Sequence, residues 1–109
     1  MPQITEATLT ALLAERFPDL DFAPKSDTRT LLRHVLAYAR ARDAAGRSAD
    51  VARVLATVEE IITSADYAIQ DVMIVELIGS IDDPGMIERF GPASKKWRNY
   101  HLRQREAER

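Results

Sequence analysis

Few residues of this chain could carry out catalysis or bind a metal, and their spacing does not bring them together. His34 and His101 are the only histidines, and neither has a second histidine or a glutamate at the spacing that metal sites on helices use. With no cysteine, thiolate chemistry is excluded, and no glycine-rich phosphate loop or Gly-x-Ser-x-Gly elbow is present. Glu59, Glu60 and Glu76 could be offered for acid–base work, but adjacent helix residues point about 100° apart. The sequence therefore predicts no catalytic residues, no metal site and no cofactor, in a protein that is not an enzyme.

The charges of the chain are arranged in blocks. The 109 residues carry a formal net charge of −2. Residues 1–24 are net acidic, and residues 25–53 and 89–109 are net basic, whereas residues 54–88 contain eight carboxylates and no Lys or Arg. The blocks can pair with one another across the fold, or the acidic block can face a basic partner, because a surface of one sign raises association rates. The sequence leaves both interpretations open.

Apolar spacing predicts an all-α protein, a compact bundle or short superhelical stack of four to six helices with no sheet. Apolar residues recur three and four positions apart, and no stretch alternates with period two. The predicted helices cover residues 5–17, 28–43, 48–63, 67–80, 84–90 and 92–104. They form a single domain over 1–109, with fraying expected over 105–109.

Capping residues and apolar content add detail to these helices. Ser26 or Asp27 can cap the second helix, and Asp66 suits the N-cap of the fourth. The fourth helix, 67–80, is apolar over more than half of its circumference. It is therefore expected to be the most buried helix, with Glu76 either at its solvent edge or paired.

The composition favours a soluble cytoplasmic protein. No apolar run approaches the ~20 residues that a membrane span needs. The first residues, Met-Pro-Gln-Ile-Thr-Glu, lack the basic and then apolar pattern of a signal peptide. The absence of cysteine is compatible with a reducing compartment.

The C-terminal segment interleaves basic and aromatic residues. A pattern of this kind can serve phosphate contact and base stacking, but the pI of about 5.7 and the acidic block disfavour nucleic acid. Trp97 and Tyr100 are three positions apart, which also suits the docking stripe of a solvated helix. A second, alternative site therefore consists of Lys95, Lys96, Trp97, Arg98, Tyr100 and Arg103.

Four short motifs follow one another between Ser48 and Lys96. They are Glu59-Glu60-Ile61, Asp66, Val75-Glu76-Leu77-Ile78-Gly79 and Gly91-Pro92-Ala93-Ser94. With the HEAT-like apolar spacing around them, this span resembles small all-helical bacterial proteins that accompany secreted or contact-delivered toxins as immunity proteins. The resemblance implies a protein that binds one cognate toxin domain and occludes its active site or substrate path, without catalysis of its own.

Under this resemblance an acidic helix hairpin would meet the basic surface of a toxin domain. The implied partner-binding residues are Glu59, Glu60, Asp66, Tyr67, Asp71, Asp82 and Asp83. Asp66 and Tyr67 are the first candidates, since interfaces concentrate energy in a few aromatic and charged residues, although an N-cap and a core-edge tyrosine are the structural alternatives. The alternative function is a regulatory or scaffold domain that binds nucleic acid or another protein through the C-terminal helix. Self-association stays open.

Overall fold

The described part of the chain folds into six α-helices. The computed structural model describes residues 3–20 and 27–108. In chain order the helices are α1 (Glu6–Arg16), α2 (Thr28–Ala44), α3 (Ser48–Ser64), α4 (Tyr67–Glu76), α5 (Pro84–Glu88) and α6 (Pro92–Ala107), with a 3₁₀ turn at Ile78–Ser80. Within these ranges the only β-type pairing is an isolated bridge between Ile4 and Ala65. The predicted all-α bundle is confirmed.

α3 lies at the centre of the core and packs against α2, α4 and α6. Apolar residues three and four apart put one face of α3 inside, so the outward positions are left to polar residues. The buried apolar residues of this face are Val51, Val54, Leu55, Val58, Ile61 and Ile62. α1 docks onto the same apolar cluster through Leu9, Leu13 and the fully buried Phe17 that follows it.

α4 is less buried than its apolar sequence predicts. Only Ile69 and Met73 are buried, whereas Tyr67 is 82% and Val75 45% exposed. One side of α4 packs on α2 and α3, and another side borders a groove. The prediction that α4 is the most buried helix is wrong because part of its apolar surface has no helix packed over it, whereas α2 and α3 each bury seven residues.

Two predicted aspartate caps are confirmed. The Asp27 carboxylate accepts a hydrogen bond from the Thr30 backbone N–H at 2.8 Å, and Asp66 accepts one from Ile69 N–H at 3.0 Å. Each cap satisfies a backbone N–H that has no partner inside its own helix.

Two helices end three or more residues from the predicted position. α4 ends at Glu76 rather than residue 80, because the chain tightens into the 3₁₀ turn. Within that turn a Cβ on Gly79 would lie 2.8 Å from Cδ2 of His101, so only glycine fits this close approach to α6. α6 continues past Gln104 to Ala107 through residues with high helix propensity. Fraying of the tail concerns motion and stays a prediction.

The N-terminal segment is tied to the start of α4 by the isolated bridge. Ile4 N–H donates to the Ser64 carbonyl at 2.9 Å, and Asp66 N–H donates to the Ile4 carbonyl at 2.9 Å. The turn between α3 and α4 is therefore held from outside as well as by its own cap.

The Asp27 cap makes part of the stability depend on pH. Hydrogen bonds from the side chain and then the backbone of Thr30 hold the pKa of Asp27 below its ordinary value of 3.8. A carboxyl with a lower pKa in the folded state stabilises the fold above its unfolded pKa, and this contribution is lost as the pH falls through the folded pKa. We expect Asp27→Asn, which keeps a cap but does not titrate, to unfold at a lower urea concentration than wild type at pH 7. The difference should shrink by pH 3, and a difference that stays constant would contradict this prediction.

Candidate functional site

A groove opens between α4 and α6, and we call it the α4–α6 groove. Its volume is about 270 Å³. It is lined by Tyr67, Gln70, Asp71, Ile74 and Val75 on one wall and by Trp97, Tyr100, His101, Gln104 and Glu108 on the other. Each wall repeats every three or four residues, so each wall is one face of a helix.

The groove gathers the exposed apolar surface of the part of the chain that the structure describes. Tyr67 (82% exposed), Val75 (45%) and Tyr100 (50%) are its exposed large apolar residues, and all three line this groove. A single exposed apolar residue is ordinary, but a contiguous apolar patch marks an interaction site. The groove is therefore the strongest candidate for a functional site.

The aromatic side chains on the α6 wall support one another. The rings of Trp97 and Tyr100 meet edge to face, with centroids 5.7 Å apart and planes at 84°. Trp97 is half-buried and packs against the core, while Tyr100 is half exposed above it. An aromatic ring held in this way provides a large contact area and loses little conformational entropy on binding.

The charge of the groove is acidic. The carboxylates of Asp71 and Glu108 line it, and no Lys or Arg among the described residues does. Among the residues that the structure describes, neither carboxylate forms an ion pair. Asp71 is exposed between Tyr67 and Val75 on the same helix face. The groove thus combines apolar contact with a carboxylate that can meet a cation.

Glu59, a predicted partner-binding residue, holds the fold together instead. Its carboxylate accepts hydrogen bonds from Ala93 N–H at 3.0 Å, Ser94 N–H at 2.9 Å and Ser94 Oγ–H at 3.1 Å. The first N–H groups of a helix lack intrahelical partners and favour negative charge, so Glu59 of α3 caps α6. A Cβ on Gly91 would overlap the Glu59 carboxylate. We call this contact the Glu59 joint.

Two further carboxylates of the acidic block form ion pairs with arginines of other helices, and those of Glu76 belong to the basic block 25–53. Glu60 Oε2 forms an ion pair with Arg16 Nη1 at 2.7 Å. Glu76, whose side chain is only 14% exposed, binds Arg29 Nε at 2.9 Å and Arg33 Nε at 3.0 Å. The expectation that Glu76 lies at the edge or is paired is confirmed by these two pairs, and internal pairing accounts for part of the charge pattern.

The remaining predicted acidic residues occupy several places. Asp66 caps α4, and Asp83 caps α5 through the Gly85 N–H at 2.9 Å. Asp82 and Asp83 line a second cleft, beside Arg40. Of the seven predicted partner-binding residues, the structure brings only Tyr67 and Asp71 into the α4–α6 groove.

The predicted basic and aromatic residues of α6 separate. Trp97 and Tyr100 line the groove. The four cations lie off its lining: Lys95 and Lys96 are exposed, Arg98 donates to the Ile81 carbonyl at 3.4 Å, and Arg103 donates to the Asn99 carbonyl at 3.4 Å. The aromatic rings that could stack on bases and the cations that could contact phosphates therefore do not lie together in the groove.

Several residues of the groove were not among the predicted site residues: Gln70, Ile74, Val75, His101, Gln104 and Glu108. The spacing of Tyr67, Asp71 and Val75 at i, i+4 and i+8 is the signal that could have added Val75.

In residues 3–20 and 27–108, no three His, Asp or Glu side chains converge as metal ligands. No helix in those ranges has the length and apolar content of a membrane span.

Comparison with known proteins adds no relative: no protein-family model, curated protein or solved structure matches the chain.

Proposed function

We propose that the protein is a non-enzymatic, cytoplasmic immunity protein that binds a cognate toxin domain through the α4–α6 groove and occludes its active site or substrate path. The observation that carries the binding role is the convergence of Tyr67, Val75 and Tyr100 with Asp71 in one groove. The toxin as partner rests on the motifs that resemble immunity proteins. Exposed aromatic residues beside a carboxylate suit a protein partner with an apolar and basic surface.

Contacts within the fold reduce the number of carboxylates that are free to meet a partner. Glu59, Glu60 and Glu76 are committed to Ser94, Arg16 and the Arg29–Arg33 pair. The carboxylates left for a partner on the α3–α4 hairpin are Asp71 and the capping Asp66. The proposal therefore moves the contact from the whole hairpin to the outer face of α4 and the facing side of α6.

The double variant Tyr67→Ala/Tyr100→Ala tests this function. Truncating an aromatic hot spot costs about 2 kcal/mol or more, so affinity for the toxin domain should fall by about thirtyfold or more. Both side chains are at least half exposed, so stability should change little. The measurement is growth competition of bacteria that co-express the cognate toxin domain, with far-ultraviolet circular dichroism of each variant.

Lys95→Ala is the matched control, since this side chain is exposed on α6 outside the groove lining. It should protect as well as wild type. Full protection by the folded double variant would overturn the groove as the binding site. Wild-type chain that binds the toxin domain without protecting the cells would overturn the immunity function.

The alternative, a domain that binds nucleic acid through α6, has less structural support because the cations lie away from the exposed rings. It predicts binding to mixed DNA and RNA at low salt that weakens steeply as salt rises.

A further inference from the structure

The shape of the α4–α6 groove restricts what can occupy it. Its volume, about 270 Å³, lies below the ~300–1,000 Å³ of sites that enclose small molecules. From Tyr67 to Val75 the α4 wall is about 12 Å long, and from Trp97 to Glu108 the α6 wall is about 16 Å long. An open groove of this length suits a row of side chains from a segment of protein.

The secondary structure of the occupant follows from what the groove offers. A partner strand needs an exposed sheet edge, and residues 3–20 and 27–108 contain no strand. Two helix faces that border a groove accept a third helix, whose side chains three and four residues apart enter between them. A helical occupant is the recognition mode that this architecture supports.

The charge of the occupant follows from Asp71. This exposed carboxylate lies one turn from both Tyr67 and Val75, and within residues 3–20 and 27–108 the groove lining contains Glu108 but no Lys or Arg. Opposite charges that face each other across an interface fix the register and exclude partners of the wrong sign. An occupant that covers Tyr67 and Val75 must also cover Asp71.

We propose that the α4–α6 groove binds an amphipathic helix of its partner, with apolar side chains against Tyr67, Val75 and Tyr100 and a Lys or Arg against Asp71. This inference rests on the proposed function only in taking the groove as the docking surface. It does not depend on the partner being a toxin.

Selection from a displayed library of random 16-residue peptides tests the inference without a known partner. Peptides are selected on wild-type chain and counter-selected on Tyr67→Ala/Tyr100→Ala. The expected peptides carry apolar residues three and four apart with Lys or Arg, and they become helical when bound. Peptides that are proline-rich or acidic, or no enrichment above the double variant, would overturn the inference.

The contact at Asp71 has its own test. Asp71→Lys should weaken the selected peptides at least about tenfold at low salt, because like charges then face each other. A peptide whose Lys or Arg is changed to Glu should bind Asp71→Lys better than it binds wild type. Glu88→Lys makes the same charge change at an exposed α5 residue outside the groove lining and should have little effect. Equal weakening by both variants would overturn the assigned contact.

A second copy of the chain is the competing occupant. Sedimentation of wild-type protein should show a monomer. A dimer that dissociates in Tyr67→Ala/Tyr100→Ala would overturn the inference. Successful peptide selection without protection of cells would contradict the immunity function alone, whereas protection that survives Asp71→Lys would contradict the cation contact alone.

Discussion

Glu59→Ala should lower the free energy of unfolding by about 2–4 kcal/mol, because hydrogen bonds to a charged group are worth more than neutral ones and their buried donors lose the only acceptor described for them. The Ser94 hydroxyl and N–H and the Ala93 N–H all donate to this carboxylate. Ser94 is only 1% exposed, so water does not readily replace the lost acceptor. Urea unfolding monitored by circular dichroism measures the effect.

Glu60→Ala is the matched control at the neighbouring position. Its side chain is 41% exposed and pairs with Arg16, and an exposed pair of this kind contributes about 0–1 kcal/mol. Glu59→Gln keeps an acceptor but loses the charge at the start of α6, so its loss should fall between those of the two alanine variants. If Glu59→Ala and Glu60→Ala cost the same, the Glu59 joint does not hold α6.

Phe17→Ala should destabilise the protein by about 3–5 kcal/mol, the range for removing a buried aromatic side chain from a packed core. Phe17 is 0% exposed, and its ring centroid lies 5.6 Å from that of Tyr38. The guanidinium of Arg53 lies 5.8 Å from the centre of the Phe17 ring. Truncation would leave a cavity where α1 packs against the core. Chemical unfolding would then show a lower denaturant concentration at the midpoint.

Phe17→Leu separates the cavity from the aromatic contacts. It keeps most of the apolar volume and should cost under about 1.5 kcal/mol. Neither variant touches the α4–α6 groove, so selected peptides should bind both with wild-type affinity at temperatures where they are folded. A Phe17→Ala loss as small as the Phe17→Leu loss would show that the site collapses around the missing ring.

Most of the helical architecture could be predicted from local sequence, because helix formation and termination depend on neighbouring residues. Asp27, Asp66 and Gly46 mark helix boundaries that the structure contains. The end of α4 could not be predicted in this way. Just beyond this end, a Cβ on Gly79 would lie 2.8 Å from both the Ile74 carbonyl and Cδ2 of His101, and His101 is distant in sequence.

The candidate site could be predicted only in pieces. Tyr67 and Asp71 were assigned to an acidic site, and Trp97 and Tyr100 to a separate basic–aromatic site. The structure places all four in one groove, because α4 and α6 lie side by side. Periodicity describes the faces of single helices and contains no information on which faces meet. The capping of α6 by Glu59 could not be predicted for the same reason, since the hydrogen-bond donors to its carboxylate lie on α6.

Internal pairing explains part of the charge pattern. Glu60 and Glu76 of the acidic block pair with arginines of other helices. Asp71 of the same block faces solvent in the groove. Internal pairing therefore does not account for the whole block, because helix caps, ion pairs and exposed carboxylates occur within it.

The Glu59 joint also sets the geometry of the groove from a distance. It holds α6 at Ser94, while Gln104 on the same helix lies about 15 Å further along the axis. A rotation of α6 by about 10° at the joint would move Gln104 by roughly 3 Å. This displacement is close to the distance between two carbon atoms in van der Waals contact. Substitutions at Glu59 or Gly91 are therefore expected to change the distance between the α4 and α6 walls of the groove. Under the proposed function, we expect such substitutions to alter partner affinity without changing any residue that lines the groove.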